Sequence, residues 1–145
     1  YMLCFFIALL IFHPIQWICF NLFGYQAHKN SADYMNICLM RCMHILGTRF
    51  TFDNPHTIET GRPLIIVANH QSMYDISPLS VFFRKYHPKF VVKQELARGI
   101  PTISYNIRNG GSVTIDRKNP KQAIPQIQKL GQFINKKKFA TRKIR

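Results

Sequence analysis

Leu64-Ile65-Ile66-Val67-Ala68-Asn69-His70-Gln71-Ser72-Met73-Tyr74-Asp75 is the stretch on which the reading of this chain turns. Its first five residues are apolar and β-prone and stop at a polar boundary, the pattern of a buried strand. The residues from Asp75 to Phe83 start a helix, with Asp75 near its positive N-terminal end. His70 and Asp75 are five positions apart, and at about 100° per residue a single helix would point them apart. A turn between strand end and helix start lets them meet. A carboxylate bonded to one imidazole nitrogen fixes the tautomer and leaves the other nitrogen as a base. Such a pair can activate a hydroxyl. The plainer alternative is a structural His70 beside an Asp75 that only caps the helix.

Outward from this stretch the same alternation continues. Arg49–Phe52, Leu64–Ala68, Phe90–Val92 and Ser112–Ile115 read as strands. Ile76–Arg84, Pro101–Arg108 and Pro120–Ile134 read as helices, the last with Ile124, Ile127, Leu130 and Ile134 at helical spacing. Pro125 is expected to kink that helix or delay its start. Strands alternating with helices predict an α/β fold, a sheet flanked by helices with ligands at strand ends. No internal repeat or low-complexity linker interrupts it, and Asn135-Lys136-Lys137-Lys138 reads as a solvated helix end.

Charge is placed unevenly. The formal net charge is +14, sixteen of the twenty Lys and Arg fall in residues 84–145, and residues 1–28 contain no Asp, Glu, Lys or Arg. An apolar end followed by a basic one fits an anionic membrane surface. Nucleic acid would account for the basic half but not for the apolar start, so no nucleic-acid partner is expected. Cys4, Cys19, Cys38 and Cys42 all lie in the apolar third. Cys38 and Cys42 are one helical turn apart with no second ligand pair, so neither a zinc site nor a disulfide framework is expected, and a reducing, cytoplasm-facing setting fits.

Tyr1 to Phe12 is almost wholly apolar, Pro14 interrupts, and Ile15 to Phe23 resumes up to Gly24. Together the two runs are long enough to span a bilayer, which takes about 20 residues, and Pro14 with Gln16 equally suits a kinked or re-entrant segment. A second helix is expected from a cap at Ser31 or Asp33 to about Leu46, ending at Gly47. Residues 1–47 are thus read as an apolar membrane segment of one or two helices and residues 48–145 as the α/β domain. A single spanning helix, a re-entrant hairpin and a monotopic pair all remain compatible with residues 1–47. Basic residues downstream place the α/β domain on the cytoplasmic side.

A second constellation is Gly110-Gly111-Ser112-Val113-Thr114-Ile115-Asp116-Arg117. Paired glycines let the backbone turn tightly or approach a ligand. A guanidinium at the strand's end can hold a phosphate through two parallel hydrogen bonds. The alternative is an Arg117 paired with Asp116 or exposed on a loop. Order and spacing of the two constellations resemble the glycerolipid acyltransferases, most closely those acting on 1-acyl-glycerol-3-phosphate. Val92-Lys93-Gln94-Glu95-Leu96 and Gly99-Ile100-Pro101 are similar to the family's intervening lysine-bearing segment and following helix. The similarity covers about residues 63–134.

The resemblance implies a reaction. His70, held by Asp75, would take the proton from the free hydroxyl of a lysophospholipid as it attacks an acyl thioester, giving phosphatidate from lysophosphatidate. Arg117 would bind the glycerol phosphate, with Gly111 and Lys93 as further phosphate candidates and Ser72 as a bystander or hydrogen-bond partner. The donor would be acyl-CoA or acyl carrier protein. No cofactor or metal is required. Implied partners are membrane phospholipid, lysophosphatidate and the donor, at the cytoplasmic membrane.

The family's third block, Phe-Pro-Glu-Gly-Thr-Arg, is replaced here by Phe139-Ala140-Thr141-Arg142. The expectation is a chain incomplete at its C-terminal end, or lacking residues within 138–145, with Arg142 a second phosphate ligand if it is the remnant of that block. Two other functions stay open: transfer to another lysophospholipid or a lysolipoprotein, and a non-catalytic basic protein on the membrane surface.

Overall fold

The computed structural model describes residues 1–53, 58, 64–116 and 119–136. The chain opens with α1, Met2–Phe23, a helix of 22 residues, about 33 Å at 1.5 Å per residue. Its inward face carries Phe5, Ala8, Leu9 and Gln16. Its outward face is equally apolar, with Leu3, Phe6, Leu10, Ile11, Trp17 and Leu22 exposed. The sequence left open an uninterrupted span and a segment kinked at Pro14, and α1 continues as helix through that residue. Pro14 removes the N–H that would serve the Leu10 carbonyl, and beside it a neighbouring segment adds two hydrogen bonds to other groups of α1. The Thr102 hydroxyl donates to the Leu9 carbonyl at 2.6 Å, and the Thr102 N–H donates to His13 Nδ1 at 3.0 Å.

Gly24 reverses the chain in a single residue. Its φ of 80° and ψ of −171° lie in a region essentially reserved for glycine. The second helix, α2, therefore begins at once and spans Tyr25–Met43. That corrects the expected caps at Ser31 and Asp33, which both lie inside the helix. The Ser31 hydroxyl bonds back to the His28 carbonyl, and Asp33 pairs with Lys29 one turn earlier at 2.6 Å. A 3-10 turn, His44–Leu46, ends at Gly47 in the left-handed conformation, as the glycine predicted. Phe5, Ala8 and Leu9 of α1 interlock with Met35 and Leu39 of α2, and Ile100 and Ile103 close over them. The core thus joins the helical pair directly to the rest of the chain.

Further on come α3 (Ile76–Phe82), β1 (Val91–Lys93), α4 (Ile103–Asn109), β2 (Val113–Ile115) and α5 (Pro120–Lys136). The strands pair in parallel, Val91 with Val113 and Lys93 with Ile115. Parallel neighbours need a crossover, and here the Gln94–Ala97 turn and α4 provide it. Pro125 sits inside α5 without delaying its start.

The result is a helix-rich mixed fold with a small two-stranded parallel sheet among the described residues. Two expected strands are corrected. Arg49–Phe52 is irregular, and Leu64–Ala68 is extended but joins no ladder. Exposure along Leu64–Val67 still alternates (44%, 95%, 48% and 90%), the two-residue period of extended backbone. A strand is defined by a partner for its N–H and C=O groups, and no described strand lies beside this one.

Candidate active site

The segment after Ala68 folds as a turn followed by a helix, for reasons visible residue by residue. The His70 N–H closes a tight turn onto the Ala68 carbonyl at 2.9 Å. Ser72 then caps a 3-10 turn, Met73–Asp75, which runs into α3. The Ser72 hydroxyl accepts from the Tyr74 N–H, while Asp75 reaches back to accept from the Ser72 N–H, a reciprocal capping box. Ser72, not Asp75, is therefore the cap, and its hydroxyl is engaged with the backbone.

Asp75 Oδ2 gathers three donors. The N–H groups of Gln71 and Ser72 each lie at 2.9 Å and His70 Nδ1 at 3.1 Å. Those two backbone N–H groups, with His70 as a lesser cause, hold the carboxyl below the usual aspartate range. An ionised carboxylate only accepts, so the proton of a neutral His70 sits on Nδ1 and the lone pair on Nε2. Both side chains are reachable from solvent, 46% and 36% exposed. The Tyr74 ring meets Tyr1 edge-on at 5.5 Å, which sets the start of α1 beside this pair.

The phosphate candidates are dispersed. Lys93 ends β1 and forms an exposed ion pair with Glu95 at 3.0 Å. Gly111, at φ +81°, precedes β2 at the opposite end of the parallel pair. The two glycines and Lys93 thus do not share one pole of the sheet. Ile115, the register partner of Lys93, leads to Asp116, so the chain toward Arg117 leaves from the Lys93 end. Arg117 and Arg142 lie outside the described residues. In open α/β folds the C-terminal ends of parallel strands face the ligand crevice, which favours Lys93 over Gly111.

Sequence reasoning missed a polar knot at the other pole. Lys89 Nζ donates to the Tyr25 hydroxyl and the Gly110 carbonyl, and the Tyr25 hydroxyl also meets His87 Nε2 at 2.9 Å. Burial pushes the Tyr25 hydroxyl up to about 12; burial, then the Lys89 and Lys29 charges, drive His87 down to about 3. Tyr25 and Gly110 lie 85 positions apart with His87 and Lys89 between them, and the four form no motif.

Residues 49–141, well over half of the chain, match the family model described as Acyltransferase. The chain belongs to the acyltransferase family. No curated protein and no solved structure matches it. Acyl transfer is the general chemistry that this membership supports. The His70–Asp75 contact sets an imidazole against a carboxylate at the surface of the matched span. The matched span also includes Lys93, Gly111 and Arg117, and it ends one residue before Arg142.

Proposed function

We propose that the chain transfers a fatty acyl group from an acyl thioester, acyl-CoA or acyl carrier protein, to the free hydroxyl of 1-acyl-glycerol-3-phosphate, giving phosphatidate. The single observation that carries this reading is the bond between His70 Nδ1 and Asp75 Oδ2, which leaves Nε2 open to a substrate. The acceptor oxygen attacks the thioester carbonyl while Nε2 takes its proton. The tetrahedral intermediate then collapses, the C–S bond breaks, and the leaving sulfur receives that proton from the imidazolium. General-base help of this kind is worth roughly 10²–10⁴-fold. Arg117, with Lys93, is the proposed holder of the acceptor phosphate, and the scheme needs no metal or cofactor.

Residues 1–47 form the membrane-binding part in this reading and residues 48–145 the catalytic part, on the cytoplasmic side. α1 is long and apolar enough to cross a membrane. Yet its contacts with the rest of the chain run from Tyr1 on Tyr74, through Leu9 and His13 on Thr102, to Phe20 on Tyr105. A helix covered along its whole length by one domain suits a monotopic arrangement, lying in one leaflet with its outer face in lipid.

Release of free thiol from acyl-CoA tests the reaction, with and without lysophosphatidate. Acceptor-dependent release is expected, falling by roughly 10²-fold or more in His70→Ala while the protein stays folded on membranes. Normal turnover in that variant would overturn the assignment.

A further inference from the structure

An open surface groove of about 540 Å³ runs along the junction of α1 and α2. Phe12, Ile15 and Cys19 form one wall, and Ala27, Ser31 and Tyr34 form the other. Each wall runs from a residue to one seven positions on in its helix, so the groove is roughly 10 Å long. Its polar groups come only from α2. The Ser31 hydroxyl is turned onto the His28 carbonyl, Asn30 accepts from the Gln26 amide, and Tyr34 stands exposed at the rim. On the α1 side the wall continues without a polar break into Ile11, Ile18 and Leu22, which are 55%, 42% and 71% exposed. Along α2, seven residues make nearly two full turns, so the exposed Arg41 lies on the same flank as Tyr34.

One wall therefore suits hydrocarbon, while the facing helix carries uncharged hydrogen-bonding groups and then a cation. That is the order of polarity along a phospholipid, from chain through ester to phosphate. The groove is also remote from the reacting pair. Tyr74 touches α1 at Tyr1, eleven residues and roughly 16 Å along the helix from Phe12.

We propose that this groove holds one acyl chain of a bilayer phospholipid, its hydrocarbon against Phe12, Ile15 and Cys19 and its phosphate end toward Tyr34 and Arg41. Such a lipid is not consumed. It fastens the helical pair in the leaflet by lying along their outer junction. The proposal rests on the membrane reading of α1, and the test separates the two.

The whole chain is bound to phosphatidylcholine–phosphatidylglycerol vesicles doped with a phosphatidylcholine that carries a mid-chain diazirine. Adducts are mapped after illumination. Quenching of the single tryptophan, Trp17, by brominated phosphatidylcholine reports independently that α1 is in the bilayer. Adducts are expected on both walls, within residues 12–19 and 27–34. They should fall several-fold in Ala27→Phe, which fills the groove from its half-exposed wall, with Trp17 quenching unchanged. Asn30→Leu, at the same rim, should instead retain them, which separates loss of space from loss of fold. Adducts confined to the outer face of α1, or unchanged in Ala27→Phe, would overturn the groove assignment while leaving the membrane reading standing. Absence of Trp17 quenching would overturn both.

Discussion

Asp75 does two jobs with one oxygen, tying back the N–H groups of Gln71 and Ser72 and orienting His70. The two roles separate by substitution. Asp75→Ala removes both and is expected to cost about 1 kcal/mol of stability as well as turnover. Asp75→Asn keeps an acceptor for the backbone but loses the charge that fixes the imidazole, so the rate should fall by roughly 10²-fold with the fold retained. Thermal unfolding beside thiol release distinguishes them. Acid dependence adds a check. Because the folded carboxyl titrates below its ordinary value, its stabilising effect is present above about pH 4 and fades as pH falls through the depressed value. The stability gap between the native chain and Asp75→Ala should therefore narrow in that window.

His87 has the opposite sign. Held down to about 3 by burial and the Lys89 charge, it stays neutral in the fold while an unfolded histidine protonates near pH 6.5. The unfolded chain then binds the extra proton, so this residue lowers stability progressively from about pH 6.5 toward 3. Its left-handed backbone, φ 57°, is one that asparagine also tolerates. His87→Asn should flatten that part of the curve of unfolding free energy against pH. An unchanged slope would remove His87 as its source.

At the scale of elements, the helical pair and α4 are fastened through Thr102. This residue is fully buried and holds a left-handed backbone, φ 64°, uncommon for a β-branched side chain. Its hydroxyl and N–H bond to the Leu9 carbonyl and His13 one turn apart on α1. Thr102→Val preserves shape but removes the hydroxyl's bond to the Leu9 carbonyl, which keeps its helical partner at His13, and is expected to cost about 1 kcal/mol. Denaturant unfolding in detergent micelles measures it. The bounds of α3, α4 and α5 were legible to within a few residues, as was the stop at Gly47, because periodicity, a glycine stop and the Pro120 start are local signals. The start of α2 was not, since the one-residue reversal at Gly24 looked like an ordinary stop.

At the scale of the whole molecule, the proposed membrane binding divides into two terms, one from the charge of +14 and one from the uncharged residues 1–28. Attraction between Lys or Arg and anionic lipid is screened by salt, with a Debye length of about 10 Å at 0.1 M. Burial of the outer face of α1 in hydrocarbon is not. Binding to phosphatidylglycerol-containing vesicles should weaken with added salt toward a floor equal to the salt-insensitive binding to phosphatidylcholine alone. A flotation assay across salt concentrations reads both, and a floor of zero would remove the α1 term. By itself the sequence determined most of the helices, the two strands near Phe90–Val92 and Ser112–Ile115, and the likeness carried by His70 and Asp75. These depend on neighbours a few residues away, or on the order of motifs. The hydrogen bond between His70 and Asp75, the cap at Ser72 and the dispersal of Lys93 and Gly111 to opposite poles were decided by the tertiary structure. So were the parallel pairing of β1 with β2, the absence of a described strand beside Leu64–Ala68, and the ties from Thr102 and Lys89. Each depends on which distant segment comes alongside, and no local pattern of residue types encodes that.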